Sequence, residues 1–342
     1  MLRPIRVAAL TGGKNVASAR FRVRQLIPAL SKLGVEVHEF VPPISKYPPR
    51  WKWLRPFWGV IALAVRLPAV WKSHFYDVVL FQKELVSTFV TLEPLAGRPR
   101  VLDVDDSIFV YRNGKTAAQL ARLSNLVICG NNFLAERFNN WNKNTVVIPT
   151  PVDIHRFKPV RRRMPERITI GWIGSSVNFR YLHQIEGVLT EVVNAFPNVY
   201  IRVIADKKPK FFNEGLAHKL EWIRWSPETE VFGLQDINIG IMPLSDGEWE
   251  RGKCSYKMLQ YMACGVPVVA SPVGMNKEVL SMGNFGFPAT TEEEWKDALM
   301  KLIEMDQLER ERLGDNGRLV VEEHFSIEVV ALQFAEALRR VL

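Results

Sequence analysis

Short apolar runs alternate with amphipathic stretches along nearly all of the 342 residues. Positions 5–10 read as a β-branched strand, Thr11-Gly12-Gly13 as a turn, 18–33 as a helix and 35–40 as a second strand. Further strands are expected at 77–82, 100–104, 126–129 and 145–148, with a short helix at 132–139. A proline-bearing stretch, 149–165, carries the basic run 160–163 and reads as a linker. The pattern then restarts, with strands at 168–173, 199–205, 220–225, 237–242 and 266–270. Helices are expected at 181–195, 255–264, 292–305 and 326–342, and 301–312 as a charged, solvated helical face. Apolar strands alternating with helices predict parallel sheets covered on both faces. The expected fold is α/β, with two doubly wound, Rossmann-like domains: 1–155 and 156–325, the final helix 326–342 being able to pack back on the first.

Length agrees with that division, because one core rarely serves 342 residues. The first ten residues read as a strand rather than a signal peptide, and Cys129, Cys254 and Cys264 offer neither a disulfide framework nor metal-ligand spacing. A cytoplasmic setting is expected, and no metal. The net charge of +9 implies an anionic partner without choosing among nucleic acid, acidic lipid and phosphorylated small molecules. No recognition helix or single-strand platform stands out, so nucleic acid is not expected.

One segment changes the picture. In 46–75, Trp51, Trp53, Phe57, Trp58 and Trp71 interleave with Lys52, Arg55, Arg66 and Lys72. That mixture suits the headgroup layer of an anionic membrane, and equally a crossover helix with its tryptophans in the core. No unbroken apolar run reaches the ~18 residues of a membrane span; 57–65 is half that. The setting expected from it is peripheral, at the inner face of the plasma membrane.

Candidate chemistry collects at strand ends. Arg251, Lys253 and Lys257 crowd the start of the helix 255–264, where each cation costs ~0.3–1 kcal/mol against the helix dipole. The alternatives are a solvated surface and a phosphate held by these cations and the N–H groups at Cys254 and Ser255. Gly12 and Gly13 end the first strand, as a ligand-binding loop or a tight turn. Asp103, Asp105 and Asp106 end another; Asp105 and Asp106 can orient or deprotonate a hydroxyl, and Asp106 or Ser107 can cap the next helix.

Three stretches in order carry a resemblance: Val147-Ile-Pro-Thr-Pro-Val-Asp-Ile-His-Arg-Phe-Lys-Pro159, Ile170-Gly-Trp-Ile-Gly174 and Leu259-Gln-Tyr-Met-Ala-Cys-Gly-Val-Pro-Val-Val-Ala-Ser271. From about 126 to 280 the chain resembles the GT-B-fold glycosyltransferases of the family 4 type. The resemblance implies two domains facing across a cleft, and transfer of a sugar from a UDP- or GDP-linked donor, with retention and without metal or a permanent cofactor. It implies a glycan or lipid-linked acceptor in glycan or glycolipid assembly. It also implies Arg180, six residues after Gly174, and Lys253, with Lys257 in reserve, as diphosphate ligands, with Gly174 and Ser175 in the same donor site. Asp206 and Trp225 would lie near the base.

The family's paired glutamates are replaced by Gly252 and Gln260. Gln260 can still bond a ribose, and Asp246 or Glu248 is expected to meet the sugar. Asp105 or Asp106 stands where the family has a histidine. Without those glutamates a catalytically inactive binding or scaffold protein of the same fold is the alternative.

Overall fold

A computed structural model describes residues 3–160, 167–211 and 213–342. Arg161, Arg162, Arg163 and Pro165 of the expected linker lie outside the described residues. The chain divides into two compact units. One comprises Met1–Pro151, Arg251–Cys254 and Ile327–Leu342; the other comprises Val152–Glu250 and Ser255–Ser326.

The first unit is built on six parallel strands: β1 (Ile5–Leu10), β2 (Val35–Phe40), β3 (Val78–Gln82), β4 (Arg100–Val104), β5 (Leu126–Cys129) and β6 (Thr145–Val147). Their order is β2-β1-β3-β4-β5-β6. Ile5 stands opposite Val35, Val7 opposite Val78 and Val101 opposite Leu126. Alternate residues feed two cores, which is why these strands read as unbroken apolar runs. Val7, Ala9, Val78, Leu80 and Ile128 pack with Val330, Phe334 and Leu338 of the final helix, Ile327–Arg339. Leu10, Val79, Phe81 and Leu102 pack with Leu120 and Phe138 on the other face. The helix expected at 18–33 is broken into Ala17–Arg22, a 3-10 turn at Arg24–Leu26 and Ile27–Lys32. Pro28, in the first turn of the last piece, has no N–H to continue an α-helix from before it.

The second unit carries β7 (Ile168–Ile173), β8 (Val199–Ala205), β9 (Leu220–Arg224), β10 (Ile239–Met242), β11 (Val268–Ala270) and β12 (Gly286–Pro288), in the order β12-β11-β10-β7-β8-β9. β12 is too short for periodicity to show. Its Gly286 is needed because a Cβ there would stand 2.0 Å from the Val268 carbonyl oxygen. The stretch expected as one charged helix, 301–312, is a junction between Glu292–Glu304 and Gln307–His324. Asp306 stops the first and caps the second, accepting from the Glu309 N–H at 2.8 Å while its own N–H donates to Glu309.

Each sheet reverses its winding once, and ligands of open parallel sheets bind outside the strand ends at such a reversal. In the first sheet it lies between β1 and β3, in the second between β7 and β10. β7 and β10 pair only at Ile170–Ile239 and Gly171–Gly240. Beyond that they part, and the buried Tyr261 hydroxyl fills the gap, accepting from the Ile173 N–H (2.9 Å) and donating to the Ile241 carbonyl (3.3 Å). Gly240 makes room, since a Cβ there would meet the Tyr261 ring at 2.5 Å.

The aromatic segment corrects two expectations. Lys52–Phe75, 24 residues, is long and apolar enough by length and composition to cross a membrane, although its longest unbroken apolar run is 57–65. Nor do its tryptophans fill a core. The α-helices Arg55–Ala64 and Leu67–Lys72 meet at a break at Val65–Arg66. Ala62, Arg66 and Val70, four apart, are buried, while Trp51, Trp53, Phe57, Val60, Trp71 and Phe75 are each 60% or more exposed. Trp58 is half-buried. Exposed apolar faces of this kind are uncommon on globular domains.

Phe334 is buried in the first core. Phe334→Ala is expected to lower stability by about 3–5 kcal/mol, read as a fall in the urea midpoint of the transition that includes the first sheet.

Candidate active site

At the reversal in the second sheet, β7 runs into Gly174 and Ser175. A Cβ on Gly174 would stand 2.7 Å from Lys257 Nζ and 2.6 Å from the Trp172 ring. The Lys257 ammonium therefore lies directly over the glycine, 4.3 Å from the Trp172 ring centroid. It comes from the first turn of the helix Tyr256–Ala263, which has no side-chain cap on its N–H groups. Ser255, at φ 51, turns its hydroxyl instead to Asn276 Oδ1 at 2.7 Å.

Arg180 belongs to the same unit. Its guanidinium donates to Glu250 Oε1 at 2.8 Å and to the Tyr181 hydroxyl at 2.6 Å, and its side chain is 61% exposed. Tyr181 donates to the same carboxylate oxygen. Burial, then the Glu250 charge and bond, push the Tyr181 hydroxyl up to about 12, so it stays protonated. Asp206, after β8, accepts from the Ser176 N–H (2.6 Å) and hydroxyl (2.9 Å), which closes the loop that follows β7. Burial raises its pKa, but these bonds outweigh it and hold the carboxyl below its ordinary range. Trp225, after β9, is partly exposed and donates its backbone N–H to the Ala205 carbonyl. Asp246 is exposed in the loop after β10, and Glu248 is exposed at the start of the short helix Glu248–Arg251.

Gln260 does not face solvent. It is buried and donates at 3.0 Å to Glu230, whose other oxygen pairs with Arg156. Glu230 is a buried carboxylate that the linear pattern left unmarked, since it lies thirty residues upstream in the helix Pro227–Gln235.

Residues 251–254 belong to the first unit. The Asn131 amide donates to the carbonyls of Arg251 (3.1 Å) and Lys253 (3.0 Å), and the Cys254 thiol to the Asp105 carbonyl (3.3 Å). Gly252 sits against Ser107: a Cβ would stand 2.1 Å from Ser107 Oγ, so no glutamate fits there without moving that loop. Lys253 lies in the field of Asp106. Sequence ranks Lys253 ahead of Lys257, and the structure sets Lys257 over Gly174 and Lys253 with the first unit. Burial pushes the Cys254 thiol up to about 12, so it is no nucleophile.

The first sheet's reversal is crowded with charge. Lys83, at φ 60 just after β3, sends its ammonium to Asp105 Oδ1 (2.7 Å), Asp106 Oδ2 and the Ser18 hydroxyl (2.9 Å). No motif marks Lys83; only its place after β3 does. Burial raises Asp105, but Lys83 overcomes this and holds it below the usual carboxylate range. Burial raises Asp106 too, and with the Asp105 charge it prevails over Lys83. Ser107 makes no side-chain cap on the helical stretch after it. Asp103 is fully buried on Arg22, whose Nε stands 3.2 Å from both carboxylate oxygens. Gly12 packs on the aliphatic chain of the buried Lys46, 2.8 Å from where its Cβ would be, and Gly13 has φ 138. Lys46 pairs with Glu84 at 3.1 Å. Glu84 Oε2 and Gln82 Oε1 are buried without a hydrogen-bond partner among the described residues. Among those residues, too, no group of three or more His, Cys, Asp and Glu side chains could hold a metal ion.

Comparison with known proteins supports the resemblance that the sequence motifs carry. Residues 167–305 match the family model described as glycosyl transferases group 1. Two of the three motif stretches lie inside that match, which falls in the second unit apart from residues 251–254. No curated protein matches the chain. Among solved structures, HepE of Anabaena in complex with UDP and glucose is 18% identical, covers 98% of this chain and 100% of its own, and has a TM-score of 0.71. Sucrose-phosphate synthase of Thermosynechococcus elongatus is 17% identical over 98% of both chains, also at 0.71. WaaG, a glycosyltransferase involved in lipopolysaccharide biosynthesis, is 12% identical over 97% and 99%, at 0.67. At such identities the likeness speaks for the fold. The chain has the two-domain α/β fold of the GT-B glycosyltransferases.

Removing the buried cation Lys83 takes from two carboxylates the ion pair they share. Lys83→Met is expected to cost about 3–5 kcal/mol at pH 7. In the wild type, Asp105 has a depressed pKa, so its contribution is present above pH 3.8 and is lost as pH falls through its folded value. In the variant both carboxyls favour the protonated form, so the deficit should shrink between pH 7 and pH 4. Urea midpoints of the two proteins across that range measure it.

Proposed function

We propose that this chain is a glycosyltransferase that moves a sugar from a nucleotide-diphosphate donor to an acceptor hydroxyl with retention, in glycan or glycolipid assembly. The observation that carries the reading is the Lys257 ammonium over Gly174 at the β7–β10 reversal, with the exposed Arg180 in the same unit, inside a region matching a glycosyltransferase family. Two solved structures of the same fold hold UDP with glucose and UDP-glucose, which makes a UDP-linked sugar the first donor to try.

In this reading the second unit holds the diphosphate on Arg180, Lys257 and the uncapped N–H groups of the helix Tyr256–Ala263. As the bond from the anomeric carbon to the β-phosphate oxygen breaks, these groups meet the charge on the leaving diphosphate, with no metal needed for that step. The acceptor oxygen bonds to the same carbon and its proton passes to the leaving phosphate, so no protein nucleophile takes part. Asp106, raised and partly exposed, orients the acceptor hydroxyl in the first unit. The unpartnered oxygens of Glu84 and Gln82 give that unit spare acceptors for a hydroxyl-rich molecule. Gly252 has a packing reason of its own, so its lack of a carboxylate does not by itself argue for an inactive scaffold.

The setting we propose is cytoplasmic and peripheral, with the aromatic face of 51–75 in the headgroup layer of an anionic membrane. One face of the helical pair is tied down by Ala62, Arg66 and Val70. That favours a segment lying on the bilayer rather than crossing it.

Lys257→Ala and Arg180→Ala should each weaken UDP binding about tenfold or more while leaving uridine binding unchanged, as read by calorimetry. Equal losses for both ligands would refute the phosphate assignment. Screening UDP- and GDP-sugars by release of the nucleoside diphosphate tests catalysis itself, and binding without release across the panel would favour a scaffold. The triple substitution of Trp51, Trp53 and Trp71 by serine should abolish co-sedimentation with phosphatidylglycerol vesicles; unchanged sedimentation would remove the membrane from the reading.

A further inference from the structure

One cavity in the first unit is used by nothing described so far. It has a volume of about 180 Å³ and lies at the carboxyl ends of β1 and β2, where Leu10 and Phe40 form part of its wall. The helical pair supplies Val65, Arg66 and Lys72, and Leu85 adds to it. Arg66 is 3% exposed. Two of its guanidinium nitrogens donate to the carbonyls of Ala62 (2.8 Å) and Ile44 (3.3 Å), and its Nε is buried without a hydrogen-bond partner. Among the described residues no carboxylate forms an ion pair with it. Burial works against its charged form, and only the field of Glu93 works the other way. A buried cation so poorly compensated is costly, and the cost falls when an anion arrives. Lys72, exposed on the same wall, is a second cation.

We infer that this cavity receives the phosphate end of a lipid-linked acceptor, the anion held by Arg66 and Lys72 and the first carbons of its chain held by Leu10, Phe40, Val65 and Leu85. The inference rests on the membrane-associated reading above and adds to it the acceptor class and the place where it binds. The dimensions agree. A water occupies about 30 Å³ of liquid and drug-sized ligands fill pockets of about 300–1,000 Å³, so the space suits a phosphate with a few methylenes and is too small for a nucleotide sugar. The walls decide between a lipid phosphate and a free one, since four of the six side chains named are apolar. The same two helices carry Trp71 and Phe57 outward, so a chain leaving the cavity along them would meet the aromatic face that we place in the headgroup layer.

The test titrates the full chain with octyl phosphate below its micellar concentration, with octanol and inorganic phosphate as separate arms. Octyl phosphate should bind about tenfold or more tightly than either. Arg66→Gln and Lys72→Gln should each weaken it by a similar factor, with UDP binding unchanged. Lys72 is exposed, so its variant keeps the test meaningful if Arg66→Gln fails to fold. Octanol bound as tightly as octyl phosphate, or octyl phosphate bound equally by wild type and Lys72→Gln, overturns the assignment. Inorganic phosphate bound as tightly as octyl phosphate overturns its lipid part. A wild-type chain that fails to sediment with vesicles refutes the parent reading whatever octyl phosphate does, so the two failures stay distinguishable.

Discussion

Buried charge at the carboxyl edge of the first sheet is what that unit depends on. Arg22 holds Asp103, Lys83 stands between Asp105 and Asp106, and Lys46 holds Glu84, all in places where water is largely excluded. None of these pairs stabilises much relative to an apolar filling, yet losing one partner of any of them is severe. Arg22 also donates to the Ile148 carbonyl at 2.7 Å, so a helix, the end of β4 and the exit of β6 share one guanidinium. The arrangement fixes strand ends rather than the sheet's interior, and strand ends are where this architecture keeps its ligands.

The second unit solves the same problem with fewer ions. Where β7 and β10 part, a phenol does the bridging, and Gly240 and Gly174 admit the Tyr261 ring and the Lys257 ammonium. Carboxylates there are spoken for: Asp206 by Ser176, Glu250 by Arg180 and Tyr181, Glu230 by Gln260 and Arg156. The positive ends of Arg180 and Lys257 are left near the surface, an arrangement that favours an incoming anion.

Much of this was legible in the sequence. Periodicity gave eleven of the twelve strands, because parallel strands buried on both faces are unbroken apolar runs; β12 is three residues containing a glycine and a proline, and shows no period. Cations at the signature helix were visible as a violation of the dipole rule. Which of them faces Gly174 was not, because Lys253 and Lys257 are four residues apart and the αL turn at Ser255 separates them. Lys83, Glu84 and Glu230 were invisible for a different reason: their partners lie 22 to 38 residues away in sequence or on another element, and no local spacing encodes such a meeting. The aromatic segment was ambiguous until the fold showed which residues the sheet covers.

The three thiols carry a practical consequence. Cys129 and Cys254 lie in the first unit and Cys264 in the second, all buried and all with burial pushing their pKa upward. An alkylating reagent can reach them only when the surrounding structure opens. Single-cysteine versions would therefore turn labelling rates into separate clocks for the breathing of each half, and Cys254 would time the release of the 251–254 strap from Asn131 and Asp105.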